Sequence, residues 1–201
     1  MIKLRSDRNR VEKIGKGHED GRPIIVRDTK FSDIRQIIGI YLRLSDQDRR
    51  WFHPFPFHGL ALHAIFFSMV SLKKFIPITK ALFPRLVFLI LVAEDPTSGQ
   101  LVGFTYLRGR SCEKRGRLIA NRGIIAVSGT RLKGIGSAMD SQLIGIAKEI
   151  GICKFSVTVL KDNVASIRFH EKMGYSYAGT STEHFNGIEE EIVLFDYVVR
   201  P

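Results

Sequence analysis

The chain has 201 residues, 44% of them hydrophobic, and a net charge of +11 from 31 lysines and arginines against 20 acidic residues. This length and composition suffice to bury the core of one soluble domain, and neither an internal repeat nor a low-complexity linker divides it. Met1 to Arg22 lack the apolar run of a signal peptide, which argues against secretion. Cys112 and Cys153 stand outside any Cys-x-x-Cys pair, so we predict free thiols in a cytoplasmic protein.

Hydrophobic periodicity and turn residues predict an alternation of strands and helices. The predicted strands are Pro23 to Arg27, Leu86 to Ala93, Gln100 to Leu107, Leu118 to Val127, Phe155 to Leu160 and a closing hairpin over Tyr177 to Arg200 around Asn186-Gly187. Helices are predicted after Ser32-Asp33, from Ser137 and after Asn163. In the first of them, the apolar positions are Ile34, Ile37, Ile38, Tyr41 and Leu42. The turn Asp95-Pro96-Thr97-Ser98-Gly99 joins two strands into an antiparallel hairpin. The pattern predicts an α/β fold with a mixed sheet.

The ends of the domain are less sharply marked. Residues 1–21 form either a charged tail or a short extra hairpin, in which Leu4 to Ile14 flank the turn Asp7-Arg8-Asn9. We expect the folded domain to occupy residues 22–201.

An uncharged stretch runs from Pro54 to Leu72 and approaches the length that a bilayer helix requires. His58, His63 and two serines interrupt its apolar character, which argues against a membrane span. A buried or partly exposed helix fits better, and its apolar face could pack on the sheet, line an acceptor pocket or meet a second subunit in a homodimer.

The segment Arg131-Leu132-Lys133-Gly134-Ile135-Gly136 lies between a predicted strand and a helix that begins at Ser137. Glycines at alternate positions allow close backbone approach, and the helix N-terminus adds positive charge, so the segment predicts a phosphate cradle. It is not a P-loop, because Gly129 to Gly136 has the wrong spacing, and Met139 stands where a dinucleotide fingerprint needs glycine.

A second segment, Lys161 to Tyr175, carries Asn163, Ser166 and the run His170-Glu171-Lys172-Met173-Gly174-Tyr175. Asp162 or Asn163 can cap the helix, Val164, Ile167 and Met173 can face the core, and Gly174 suits a left-handed turn. Together, the cradle and this segment resemble the two motifs of the GNAT superfamily of N-acetyltransferases. The resemblance covers about Arg22 to the C-terminus.

The resemblance implies a GNAT-like fold of six or seven strands and about four helices, with acetyl-CoA as co-substrate and no metal. It implies transfer of an acetyl group from the thioester to a primary amine of a small molecule or a protein. The implied coenzyme-binding residues are Ile125, Ala126, Val127, Arg131, Leu132, Lys133, Gly134, Ile135, Gly136, Ser137, Asn163 and Ser166. The identity of the acceptor amine is left open.

Catalysis requires an oxyanion donor, a base and an acid. The resemblance assigns the donor to backbone amides near Ile125 to Val127, with the contacting amide open by one position. Relatives often place Tyr where this chain has His170, which could act as the acid or be a surface histidine at a helix end. The strand Leu118 to Val127 has no carboxylate for a base, which leaves water or, with less support, Glu183 or His184.

The histidines and the positive charge also bear on whether the chain has a metal site or an anionic ligand. The histidines His53, His58 and His63 are five residues apart, which opposes a zinc site on one helix. Basic residues that include Arg122, Arg131 and Lys133 concentrate near the cradle and would favour an anionic coenzyme. The same charge leaves an alternative, a non-catalytic protein of this fold that binds RNA or the ribosome, although no nucleic-acid motif is visible.

Overall fold

The computed structural model describes residues 13–16, 23–52, 64, 67, 86–112, 117–127, 133–185 and 187–200. The strands are β1 (Lys13–Lys16), β2 (Pro23–Asp28), β3 (Leu86–Asp95), β4 (Gln100–Cys112), β5 (Arg117–Ala126), β6 (Ile152–Leu160), β7 (Ser176–Phe185) and β8 (Ile188–Val198). The α-helices with described bounds are α1 (Ile34–Leu42), α2 (Asp46–Trp51), α3 (Ile135–Ile150) and α4 (Val164–Lys172).

All eight described strands form one sheet in the order β1-β2-β3-β4-β5-β6-β8-β7. Neighbouring strands are antiparallel except β5 and β6, which are parallel. The predicted mixed α/β sheet is confirmed. Its strands from β2 to β8 are the seven expected, and β1 adds an edge strand beside β2.

The edge strand β1 lies within residues 1–21, for which a tail and a hairpin were both expected. It pairs with β2 from Lys13 opposite Val26 to Lys16 opposite Pro23. Residues 1–12, which hold the turn proposed at Asp7-Arg8-Asn9, lie outside the described part of the chain. The boundary between residues 1–21 and 22–201 therefore remains a prediction.

Helices cover both faces of the sheet, because successive residues of a strand point to opposite sides. Ile90 and Val92 of β3 pack with α1, whereas Leu91 and Ala93 belong to the core beneath α3. The α3 residues in that core are Ile135, Met139, Leu143 and Ala147, a helical spacing.

The predicted apolar face of α1 is confirmed in part. Its buried residues include Ile34, Ile37, Ile38 and Tyr41, but Leu42 is 42% exposed. Asp33 stands at the N-cap position of α1, the helix predicted after Ser32-Asp33. Asp33 makes no side-chain bond to α1 and instead accepts from the Lys30 amide and the Arg27 guanidinium.

Both predicted hairpins are present. In the turn between β3 and β4, the Thr97 amide donates to Asp95 Oδ1 at 2.9 Å, and Gly99 has a φ of 67°. In the turn between β7 and β8, Gly187 has a φ of 81°. Glycine adopts such positive φ values without steric penalty, which is why these sequences make tight turns.

Most of the apolar stretch Pro54 to Leu72 lies outside the described residues. Ala64 and Phe67 are described, both are helical, and the Phe67 ring lies 5.5 Å from the Phe31 ring. Within the described ranges, no helix combines the length and the apolar character needed to cross a bilayer.

Candidate active site

The two central parallel strands separate part of the way along their length. β5 pairs with β6 only from Leu118 to Ala120, opposite Ile152 to Phe155. Beyond that point β6 continues its pairing with β8 as far as Leu160, while β5 stays paired with β4 as far as Ala126. The ends of β5 and β6 therefore leave an opening in the middle of the sheet.

A cavity of about 910 Å³ occupies this opening. Residues 121–126 of β5, the following Val127 and residues 157–160 of β6 line its middle. Residues of α3 and of α4 with its N-cap line one side, namely Gly136, Asn163, Ser166, Phe169 and His170. The wall also includes Ser45, Asp48, Trp51, Phe52, Tyr106 and Glu183. This volume is in the range of small-molecule sites. The predicted residues Ile125, Ala126, Val127, Gly136, Asn163, Ser166 and His170 therefore meet at one cavity.

The backbone amides of β5 alternate between β4 and the opening. The Val127 amide donates to the Val102 carbonyl at 2.8 Å, so it already has a partner in the sheet. Because successive amides of a strand point to opposite edges, the amides of Ala126 and Ile124 point toward the opening. Ile124 was not among the predicted residues. The signal that identifies it is the pairing register, which is not readable from sequence.

The N-terminus of α3 follows the predicted cradle. Gly134 has a φ of 82°, in the left-handed region, and its carbonyl accepts the first helical hydrogen bond from the Ala138 amide at 2.9 Å. The amides of Ile135, Gly136 and Ser137 precede that bond and are among those that a helix cannot satisfy internally. Such amides, with the helix dipole, attract anions.

The remaining cradle residues divide into two groups. Arg131 and Leu132 lie outside the described residues. Lys133 is exposed, whereas the Ile135 side chain is buried in the core, so any ligand contact of Ile135 comes from its backbone. An added Cβ at Gly136 would lie 3.2 Å from the Phe169 ring, so glycine permits α3 to approach α4 here.

The second motif forms α4 and its caps. Asn163 Oδ1 accepts a hydrogen bond from the Ser166 amide at 3.0 Å, which confirms the predicted cap. Gly174 has a φ of 81°, as its place after the helix predicts. Ile167 and Met173 pack on the core, but Val164 is 50% exposed, so its predicted core position is wrong.

His170 is buried, with 4% of its surface exposed, so it is not a surface histidine. Its Nδ1 lies 2.6 Å from the Ser166 carbonyl, which can only accept, so Nδ1 carries a proton. The ring stacks on Phe195 and meets Tyr175 edge-on. Nε2 is buried and has no hydrogen-bond partner among the described residues.

The environment of His170 favours the neutral ring. Burial is the largest influence and, with the nearby Arg122 guanidinium, lowers the pKa of His170 to about 4, against the opposing bond to Ser166. At that value only about one ring in a thousand is protonated at pH 7. This protonation state weighs against the acid role expected from the sequence.

A buried polar network, which the sequence analysis did not predict, lies behind this wall of the cavity. Arg122 Nε lies 2.7 Å from Asp140 Oδ1 and donates to the Tyr175 hydroxyl at 2.6 Å. The Tyr175 hydroxyl in turn donates to Asp140 at 3.0 Å. Arg122, which the sequence placed in the basic field near the cradle, is therefore buried and paired with Asp140.

The two suggested bases differ in position. Glu183 lines the cavity, and Asp48 adds a second carboxylate to the cavity lining. His184, the neighbour of Glu183 on β7, does not line the cavity. No three His, Cys, Asp or Glu side chains cluster as metal ligands within the described ranges, and His53, His58 and His63 fall outside those ranges.

Separated strands beside an open helix N-terminus are features by which an α/β protein binds a phosphate-bearing ligand. The family model for the acetyltransferase (GNAT) family matches residues 47–175, more than half of the chain. The chain therefore belongs to the GNAT family and is an acetyltransferase by class. No curated protein sequence matches the chain.

Solved structures with the same fold include enzymes with different acceptors. One is a GNAT superfamily phosphinothricin acetyltransferase from Sinorhizobium meliloti in complex with AcCoA, with 20% identity, 88% of each chain covered and a TM-score of 0.66. Another is spermidine N-acetyltransferase from Vibrio cholerae in complex with CoA and spermine, with 15% identity, 88% of this chain and 95% of that chain covered, and a TM-score of 0.67. A third is ribosomal-protein-S5-alanine acetyltransferase from Vibrio fischeri, with 16% identity, 88% and 93% covered, and a TM-score of 0.68.

Proposed function

We propose that this acetyltransferase takes its acetyl group from acetyl-CoA and transfers it directly to a primary amine. The observation that carries the proposal is the cavity between β5 and β6, which the N-terminal turn of α3 borders at Gly136. One ligand can thus reach both the helix amides and the exposed edge of β5. Neighbouring structures that contain AcCoA or CoA support this choice of co-substrate.

The phosphates of the coenzyme bind to the amides of Lys133 to Ser137, and Arg131 and Lys133 add positive charge. Asn163 and Ser166 line the cavity beside this turn and contact the coenzyme from α4. The amide of Ala126, which alternation directs into the opening, donates to the thioester carbonyl and stabilises the oxyanion. Ile124 is the second amide on that edge. Ile125 and Val127 line the cavity, but their amides do not contact the oxyanion.

The amine nitrogen attacks the thioester carbonyl carbon, so that a C–N bond forms, the C–S bond breaks and the thiolate leaves. Burial lowers the pKa of His170 to about 4, which makes it a weak candidate for the acid of this departure. With a thiol pKa of about 8.5, the thiolate leaves with solvent as its proton source. The bare Nε2 of His170 suits a hydrogen-bond acceptor, so His170 is a site residue that orients a donor.

The acceptor is a primary amine on a small molecule or a protein. Aromatic side chains and two carboxylates, Asp48 and Glu183, line the cavity. Carboxylates attract an ammonium group and can receive its proton before attack. The cytoplasmic location and a possible homodimer expected from the sequence remain parts of this proposal.

The proposal is tested by titrating acetyl-CoA into the protein by calorimetry, followed by an amine screen monitored through release of free thiol. The screen contains spermidine, phosphinothricin, an alanine-initiated peptide, a lysine peptide and an aminoglycoside. We expect saturable coenzyme binding and thiol release with one class of amine. Absence of coenzyme binding, together with RNA binding that weakens steeply with salt, would favour the non-catalytic alternative.

A further inference from the structure

The short helix α2 supplies part of the cavity wall through Ser45, Asp48 and Trp51. None of its residues is buried, and it has only six of them. Isolated helices of this length are unstable in water, so contacts at its ends must hold α2 in place. Ser45 caps its N-terminus by accepting from the Asp48 amide at 3.1 Å.

The C-terminal end of α2 is held by two side chains. Arg50 donates from Nε and Nη2 to the two carboxylate oxygens of Glu190, at 2.8 and 2.7 Å. Its Nη1 donates to Asp162 Oδ2 at 2.5 Å. Trp51 Nε1 donates to the other oxygen of Asp162 at 2.9 Å. We call these four residues the α2 clamp.

The partners in the α2 clamp are neighbours of residues that line the cavity. Asp162 immediately precedes Asn163, which lines the cavity. Glu190 on β8 pairs with Glu183 on β7, which also lines the cavity. The clamp therefore connects α2 to elements more than one hundred residues later in the chain.

Isolated ion pairs at the surface contribute little, and the Arg50 side chain is 43% exposed. Bidentate geometry and membership of a network are the exceptions to that rule, and Arg50 has both. Phe52 gives α2 a second attachment, since its ring contacts Tyr41, Phe104 and Tyr106 at 5.9 to 6.1 Å. Phe52 anchors the chain after the helix, and the clamp then determines how the helix lies across the cavity.

We propose that Arg50 is a positioning residue which, with Trp51, sets the width of the cavity on the α2 side and thereby its affinity for the acceptor amine. The inference rests on the proposed function only in taking this side as the acceptor side. Coenzyme binding depends on β5, α3 and α4, so it should respond little to loss of the clamp.

The first test uses Trp51, the only tryptophan in the chain, as a reporter of the position of α2. We expect Arg50→Ala to raise the acrylamide quenching constant of Trp51 about twofold, because the indole loses its fixed environment. Lys161→Ala is the matched control: it breaks the exposed Lys161–Glu191 pair at 2.7 Å, next to Asp162, without touching α2. It should leave quenching unchanged.

The second test distinguishes an effect on acceptor affinity from an effect on coenzyme affinity. With the best acceptor among spermidine, phosphinothricin and an alanine-initiated peptide, Arg50→Ala should raise the acceptor KM about fivefold or more. The kcat and the calorimetric Kd for acetyl-CoA should stay within about twofold. Arg50→Lys keeps the charge but cannot span Glu190 and Asp162 together, so its KM should be intermediate.

Folding of each variant is checked by circular dichroism. If Arg50→Ala does not fold, Asp162→Asn and Glu190→Gln each remove one side of the clamp and should raise Trp51 quenching separately. Unchanged quenching in a folded Arg50→Ala, or an equal change in Lys161→Ala, overturns the inference. Failure of the wild-type protein to bind acetyl-CoA would instead reject the proposed function, and the quenching result would still decide the clamp.

Discussion

Arg122 and Asp140 form an ion pair inside the protein, with Nε 2.7 Å from Oδ1 and side chains that are 1% and 0% exposed. The pair connects β5 to α3, the two elements that meet at the proposed coenzyme site. The Tyr175 hydroxyl completes the network by accepting from Arg122 and donating to Asp140. Burial is the main influence on Asp140 and raises the pKa of its carboxyl, while Arg122 and Tyr175 oppose that effect.

Removing one partner of this pair should lower the free energy of unfolding much more than removing both partners. Asp140→Ala leaves the Arg122 charge buried and unpaired, and we expect it to lower the free energy of unfolding by about 3–5 kcal/mol. The double variant Arg122→Met/Asp140→Leu leaves no buried charge and should lose less than Asp140→Ala alone. Urea denaturation of Arg122→Met, Asp140→Leu and their double variant measures the coupling.

The control for this cycle is the half-exposed pair Lys154–Asp196 at 2.8 Å, where Lys154→Ala should cost less than about 1 kcal/mol. Additive losses in the Arg122 and Asp140 variants would show that the two charges act independently and would contradict the expectation.

The depressed pKa of His170 predicts a loss of stability in acid. The unfolded state takes up a proton near pH 6.5, whereas the folded state does so only near a pKa of about 4. Between these values the unfolded state binds more protons, so stability falls as pH decreases from 6.5 to 4, by roughly 3 kcal/mol in total. The contribution is fully present above pH 6.5.

The measurement compares the free energy of unfolding at pH 7.5 and pH 5 for the wild type and for His170→Phe. We expect a shallower pH dependence in the variant, because it lacks the proton uptake on unfolding. An NMR titration of the His170 ring should have its midpoint near 4. Equal pH dependence in the two proteins would mean that the ring titrates normally in the fold.

Periodicity predicted most of the fold because the residue patterns of strands and helices involve positions close together in the sequence. Periodicity did not predict which residues are buried where that depends on packing against another element. In α1, Ile40 and Leu42 lie on opposite flanks of the apolar face, yet Ile40 is 4% exposed and Leu42 is 42% exposed. Ile40 lines the cavity, whereas Leu42 ends the helix. Sequence cannot show which flank of a helix another element will cover.

The candidate site likewise has features that the sequence predicts and features that it does not. The spacing of Gly134 and Gly136 and the cap at Asn163 are local features, so they were predictable. The Arg122–Asp140–Tyr175 network joins residues 18 to 53 positions apart, and the clamp at Arg50 joins residues 112 and 140 apart. No local pattern encodes such contacts. The burial of His170 and its neutral state follow from the same long-range packing.

Two glycines of α3 provide a matched test of coenzyme binding. In Gly136→Ala the added Cβ lies 3.2 Å from the Phe169 ring at the edge of the cavity, whereas in Gly145→Ala it meets nothing within 4 Å. We expect Gly136→Ala to weaken acetyl-CoA binding about tenfold by calorimetry, and Gly134→Val/Gly136→Val to abolish it, since Gly134 needs a positive φ.

Gly145→Ala should bind acetyl-CoA normally and gain about 0.5–1 kcal/mol of stability, because alanine favours the helix. Normal coenzyme affinity in a folded Gly134→Val/Gly136→Val protein would show that the phosphates bind elsewhere.

Gly123 on β5 allows two aromatic rings to pack across the strand at the cavity. A Cβ there would overlap the Tyr106 ring and lie 2.8 Å from Phe52 Cε2. We expect Gly123→Ala to lower the free energy of unfolding by about 1–3 kcal/mol, because the rings must move. The acceptor KM should change as well, since both rings line the cavity.

A second substitution identifies the clash at Gly123 as the cause. Tyr106→Leu in the Gly123→Ala background removes the ring that the Cβ overlaps, so the double variant should lose less stability than the two single losses added together. Gly103→Ala is the contrasting case, because its Cβ would lie 2.6 Å from the backbone carbonyl of Ile125, which no side-chain truncation relieves. Stability measured in urea should therefore show coupling between Gly123→Ala and Tyr106→Leu and none between Gly103→Ala and Tyr106→Leu. Additivity in both pairs would mean that the rings adapt to the Cβ without strain.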